Sequence, residues 1–135
     1  MRMHSRLTAH LSRGLAETTG LSMSDYLVLV VLAEQPGGAM RPYELGSALD
    51  WEKSRLSHHI ARMAERRLVE RRPCPSDQRG QYVVLTPEGR RSLEEAAPVH
   101  VAQVRRAFVD RLTPAQLEVL AEIAATVFGG LEPPI

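Results

Sequence analysis

A chain of 135 residues and 15.0 kDa is the size of one domain, long enough to bury a real hydrophobic core. Its 44% hydrophobic and 24% charged residues are ordinary globular usage, which excludes a disordered chain, and its one cysteine, Cys74, excludes an internal disulfide framework and fits a reducing cytoplasm. The net charge of +1 conceals a polarised chain: eight of the 17 basic residues lie between Lys53 and Arg79, against three of the 16 acids.

Residues 3–18 read as one amphipathic helix, with Leu7, Leu11 and Leu15 at spacing four and Met3 in phase. Its amino-terminal run MRMHSRLTAHLSRG has no apolar centre, so no secretory signal is expected. Gly20 suits a left-handed cap, and Ser22 with Asp25 can open the next helix. That second helix, about 23–35, is apolar almost all round, as a buried central helix should be; its run Leu27 to Ala33 is far too short to cross a bilayer. QPGGAMRP breaks the pattern, and Pro42 with Glu44 starts a short third helix, PYELGSAL. Asp50 is expected to cap a fourth helix from Trp51 to Arg67, with Leu56, Ile60 and Met63 as its core stripe.

LVERRPC and QYVVLT then read as two strands joined by the polar turn PSDQRG. Thr86-Pro87 starts a fifth helix carrying Leu93, Ala97, Val101, Val104 and Phe108, in which Pro98 should produce a kink or break. Thr113-Pro114 repeats that start, with Gln116 completing a capping box. The last apolar stripe, Leu117 to Leu131, is expected to end at Gly129-Gly130. The layout is mainly α with a small β-hairpin. A tight helix pair followed by a two-stranded hairpin is that of a winged helix-turn-helix.

On a helical wheel the face of helix four opposite its core stripe holds Ser54, His58, Ala61 and Glu65. Arg55 and Arg62 flank it on one edge, Ser57 on the other. Small hydroxyls, a histidine and arginines suit a surface that enters a groove and donates hydrogen bonds to bases or phosphates. The same charges would also make an ordinary solvated face. Glu65 is better suited to a salt bridge. His58 and His59 are adjacent, so they point about 100° apart and cannot share a metal ion; no metal site is expected. His59 falls at the core edge. In the turn, Asp77 can brace Arg79 beside Gly80, and an arginine there is long enough to enter a minor groove.

SRLSHHIARMAERRLVERRPCPSDQRGQYVVLTPEGR resembles the DNA-binding core of the MarR (multiple antibiotic resistance regulator) family. The resemblance rests on Leu68-Val69-Glu70-Arg71, Asp77, Arg79, Gly80, Val84-Leu85-Thr86 and Gly89, and GLSMSDYLVLVVL is similar to the family's second helix. It implies a homodimeric transcription factor, with helix four in the major groove and Arg79 of the wing in the minor groove. DNA contacts would come from Lys53, Ser54, Arg55, Ser57, His58, Arg62, Asp77, Arg79 and Gly80. Residues 23–90 would be the DNA-binding lobe, and residues 1–20 and 88–131 the dimerisation region, within a single domain 1–135. Double-stranded operator DNA, near-palindromic, is the implied partner, and repression in the cytoplasm the implied role.

The chain departs from the family at Arg67, where glycine is usual, and at Trp51-Glu52-Lys53, where small hydroxyl residues are usual. Trp51 reads as a plug against the core. Family members commonly bind small aromatic or anionic effectors, but a 4% aromatic content leaves no pocket legible here. Cys74 does not match the family's oxidant-sensing position and reads as structural. No cofactor, nucleophile–base pair or phosphate loop appears, so an enzyme is not expected. Two alternatives stay open: a winged-helix module that binds an acidic protein, and one that binds DNA without sequence preference.

Overall fold

The computed structural model describes residues 1–75 and 77–131, with the backbone alone at 77–79. Among the described residues, six α-helices accompany a small antiparallel sheet. Helix α1 spans Arg2–Thr19 and ends at Gly20, whose φ of 76° lets its N–H reach the Ala16 carbonyl. Helix α2 (Met23–Ala33) starts at a reciprocal capping box: the Ser22 N–H donates to Asp25 Oδ2 at 2.9 Å, and the Asp25 N–H donates to Ser22 Oγ at 3.0 Å. Val28, Leu29 and Leu32 of α2 are completely buried, so this helix is the spine of the core.

A 3₁₀ turn at Pro36–Gly38 leads into a two-residue strand, β1 (Ala39–Met40), which the sequence reading did not contain. Helix α3 covers Pro42–Leu49, as expected from its proline start, and the Arg41 N–H is met by Glu44. Helix α4 spans Lys53–Glu65, shorter than expected. Asp50 does not cap it. It sits at φ 56° at the end of α3 instead, with its own N–H and that of Trp51 closing on the carbonyls of Ser47 and Gly46. Asp tolerates this left-handed conformation, which turns the chain between α3 and α4 within three residues. Gly46 permits the approach: a Cβ there would stand 3.3 Å from the Trp51 carbonyl.

Arg67 leaves α4 at φ 62°, and the Leu68 N–H closes on the Met63 carbonyl at 3.1 Å. The turn therefore keeps the left-handed geometry that glycine would give, although an arginine occupies it. Strands β2 (Val69–Cys74) and β3 (Asp77–Leu85) pair antiparallel, and β1 joins the far edge of β3, for a sheet order β1-β3-β2. Contrary to the sequence reading, residues 77–80 belong to β3 rather than to the turn. The register shifts between Pro73 and Cys74, so this longer strand is accommodated by an irregular ladder.

Helix α5 (Pro87–Ala107) begins as expected, Thr86 Oγ1 accepting the Gly89 N–H at 2.9 Å. It runs unbroken through Pro98. At its start a Cβ on Gly89 would lie 2.0 Å from the Leu68 carbonyl oxygen, which explains why the helix can lie flat on the entry to β2. A 3₁₀ turn at Val109–Arg111 leads to α6 (Pro114–Leu131), whose Thr113–Gln116 capping box forms as expected. The helix continues through Gly129-Gly130 to Leu131 instead of stopping there. No side chain of α6 is buried. No single helix among the described residues is long and apolar enough to cross a membrane.

Candidate nucleic-acid interface

The core stripe of α4 (Leu56, His59, Ile60 and Met63) is buried. Its other face puts Lys53, Ser54, Arg55, Ser57, His58 and Arg62 in solvent. All six candidate contacts on this helix thus share one accessible surface. Arg55 is turned back along the chain, its guanidinium 4.2 Å above the Trp51 ring. Trp51 is half-buried and packs on the core, so it acts as the expected plug.

The wing is joined to this helix by a contact the sequence reading missed. Arg71 of β2 donates from Nη2 to the Ser57 carbonyl at 3.2 Å, one turn into α4. The basic run RR offered a signal, but strand register was needed to see which arginine faces the helix. Arg72, the neighbour, pairs with Glu70 instead. Gly80 is partly buried near the wing end of β3. The bracing of Arg79 by Asp77 falls on side chains outside the described residues.

Between α3, the start of α4 and the wing lies an open cleft of about 940 Å³. Arg41, Lys53 and Arg71 bring positive charge to it and Asp50 and Glu52 negative charge, with Tyr43 and Trp51 as aromatic walls. Arg41 reaches across to the wing, donating to Cys74 Sγ at 3.2 Å and lying 5.6 Å from the Tyr82 ring centre. Buried Cys74 is thereby part of the seam between α3 and the wing.

Beneath α4 sits a second contact set. Asp25 Oδ1 lies 2.9 Å from His59 Nε2, and Asp25 Oδ2 2.7 Å from Arg66 Nη1. Arg66 also donates to the Gly20 carbonyl at 3.2 Å. Burial works to raise the Asp25 carboxyl, but the Ser22 N–H, Arg66 and His59 outweigh it and hold the group below its ordinary value. Burial lowers His59, Asp25 opposes that, and Arg62 and Arg55 add to it, leaving the imidazole below its ordinary value. Sequence alone showed Asp25 only as a helix cap; its partners, His59 on α4 and Arg66 just past its end, lie 34 and 41 residues away.

At the other side of α2, Tyr26 packs against His100 of α5 with ring centres 4.8 Å apart. His100 Nδ1 there, Gln103 Oε1 three residues further along α5 and His59 Nε2 beneath α4 are buried and have no hydrogen-bond partner among the described residues. Among those residues no three His, Cys, Asp or Glu side chains stand together as a metal site would require.

The sequence pattern of the MarR family matches residues 19–80. The transcriptional regulator HosA of Escherichia coli O111:H- is 32% identical over 114 residues, covering 84% of this chain and 82% of HosA. Among solved structures, Sco3205 from Streptomyces coelicolor is described as a MarR family transcriptional regulator in complex with DNA. It is 44% identical with a TM-score of 0.88, over 96% of this chain and 82% of its own. AbsC, a MarR family transcriptional regulator from the same organism, is 41% identical with a TM-score of 0.84, over 96% and 90%.

Proposed function

The chain belongs to the MarR family of transcriptional regulators, and on that premise we propose that it represses transcription by binding a near-palindromic DNA operator as a homodimer. The observation that carries this reading is the exposed polar face of α4 above a fully buried stripe, with the wing tied to it through Arg71. That geometry suits a helix entering the major groove, where Arg62 and His58 would meet base edges and Ser54, Ser57 and Lys53 bases or phosphates. Arg55, stacked on Trp51, would serve the backbone at the helix start. Asp77, Arg79 and Gly80 would form the wing contact in the adjacent minor groove. The DNA complex of Sco3205, at 44% identity, supports the same use of this fold.

Dimerisation is supported by α6, which leaves Ile123, Val127, Phe128 and Leu131 more than half exposed. A second copy covering them would add about 1.5–3 kcal/mol per fully buried side chain. Residues 1–20 and 88–131 would then form the dimer region and residues 23–90 the DNA-binding lobe, with half-sites roughly 34–36 Å apart. The protein would work in the cytoplasm, where DNA and a reduced Cys74 coexist. A small aromatic or anionic effector, the class the family resemblance implies, would release the operator.

Selection of binding sites from random duplex DNA at physiological salt tests the proposal. A palindromic consensus is the expected result. Salt-sensitive binding without any consensus would instead favour a non-specific DNA-binding module, and no DNA binding at all would favour a protein-directed use of the basic face.

A further inference from the structure

His59 is the buried histidine of α4, 8% exposed, and three sides of its ring are engaged. Nε2 faces Asp25 at 2.9 Å, Nδ1 faces Arg62 Nη2 at 3.3 Å, and Trp51 meets the ring edge-on at 5.5 Å between centres. A guanidinium has donors only, so Nδ1 must accept and the ring proton must sit on Nε2, which faces Asp25 Oδ1 at 2.9 Å as a charged neighbour without an aligned hydrogen bond. The Arg62 contact thus specifies one neutral tautomer. Asp25 is itself held by the Ser22 N–H and by Arg66, so the imidazole stands on a fixed base. Arg62, by contrast, is exposed, and the bond to Nδ1 is what narrows its choice of rotamer.

We infer that His59 is a positioning residue for operator recognition: its neutral form holds Arg62 where it meets a base, and a proton taken up on Nδ1 releases Arg62 and blurs the sequence preference. This rests on α4 being the helix that enters the groove. Protonation replaces the accepting lone pair with an N–H that faces a cation, so the Arg62 bond cannot survive it. The charged groups facing the ring are Asp25 from α2, Arg62 and Arg55 from α4 and, through Asp25, Arg66 just past the end of α4. Burial and the nearby arginines keep the ring neutral at neutral pH, against the pull of Asp25.

Binding to the selected operator, and to the same duplex altered at each half-site pair, is compared at about pH 7.5 and about pH 5.5, which bracket ordinary histidine titration. Wild type, His59→Gln and Arg62→Ala are measured side by side. Arg62→Ala identifies the pair Arg62 reads, as the one whose alteration it no longer penalises. At that pair the wild type is expected to discriminate roughly tenfold at the higher pH and to lose most of this at the lower. Glutamine donates and accepts without titrating, so His59→Gln is expected to discriminate at both. Both proteins carry His58, so its contribution cancels in the comparison.

Wild-type discrimination that does not change with pH, or a His59→Gln profile that follows the wild type, overturns the inference and leaves the role of α4 intact. An Arg62→Ala protein with unchanged preference at every pair overturns the reading of α4 itself, and the inference with it. A second readout needs no variant: NMR titration of the His59 ring with and without operator. If the neutral form binds better, operator lowers the ring's pKa by linkage, whereas nearby phosphates alone raise it. A raised value on binding counts against the inference.

Discussion

Helices α2 and α6 are both strongly apolar, yet they stand in opposite states. In α2, Val28, Leu29 and Leu32 are completely buried; in α6 nothing is, and Phe128 and Leu131 are 65% and 75% exposed. The difference teaches that hydrophobic content fixes the need for burial, not its location. α2 finds its partners within the chain, among Leu15, Leu45, Ile60 and Val83. α6 buries none of its side chains there, and a second chain is the cover we propose for its stripe. The lobe built around α2, α4 and the sheet should therefore respond to mutation as a packed core does, and the C-terminal helix, on the proposed dimer, as an interface does.

The largest expected effect is in the lobe. Gly89→Ala drives a methyl group into the Leu68 carbonyl 2.0 Å away, at the joint of β2 and α5. Backbone cannot yield as a side chain can, so a loss of about 3 kcal/mol is expected, read from denaturant melts. A loss under about 1 kcal/mol would mean that this joint moves freely.

Phe128→Glu should do the reverse. It should leave the lobe's secondary structure unchanged by circular dichroism while weakening self-association about a hundredfold, near 3 kcal/mol, in sedimentation equilibrium. If instead it unfolds the monomer without changing association, α6 packs within its own chain and the comparison fails.

Acid sensitivity belongs to the lobe as well. His59 is held below the ordinary histidine value of 6.5, so below that pH the unfolded chain takes up the proton first. Stability should therefore decline as pH falls under about 6.5, until the folded ring protonates too. Asp25, held below 3.8, adds a second decline under that value, ending once its folded carboxyl protonates. Both follow from melting temperature against pH, and His59→Gln should remove the first while keeping the second.

The smallest effect is Arg67→Gly. It relieves a non-glycine φ of 62°, but glycine also loosens the unfolded chain, so the net gain should be under about 1 kcal/mol. A loss of stability would show that the Arg67 side chain contributes more than its backbone costs.

How far the sequence could be read follows from the range of the forces involved. Caps made within four residues were legible: Gly20, Ser22 with Asp25, Pro42 with Glu44, and Thr86 with Gly89. Asp50 was misassigned because aspartate serves both as an N-cap and as a left-handed turn residue, and only the packing of Trp51 selects between them. Strand β1 has two residues and no periodicity, so it exists only because β3 is there to pair with it. The continuation of α6 through Gly129-Gly130 shows glycine as a weak stop signal when nothing competes for the chain. Within the interface, the exposed face of α4 could be drawn from the wheel. The ties beneath and beside it, Asp25 to His59 and Arg71 to Ser57, needed the fold.

The most direct measurement is the mass of the complex by sedimentation velocity, first of the protein alone and then with one operator duplex. The account predicts a dimer at micromolar concentration and two chains per duplex. A monomer at every concentration that binds one chain per duplex would contradict it, leaving α6 unexplained and the operator without its two-fold reader.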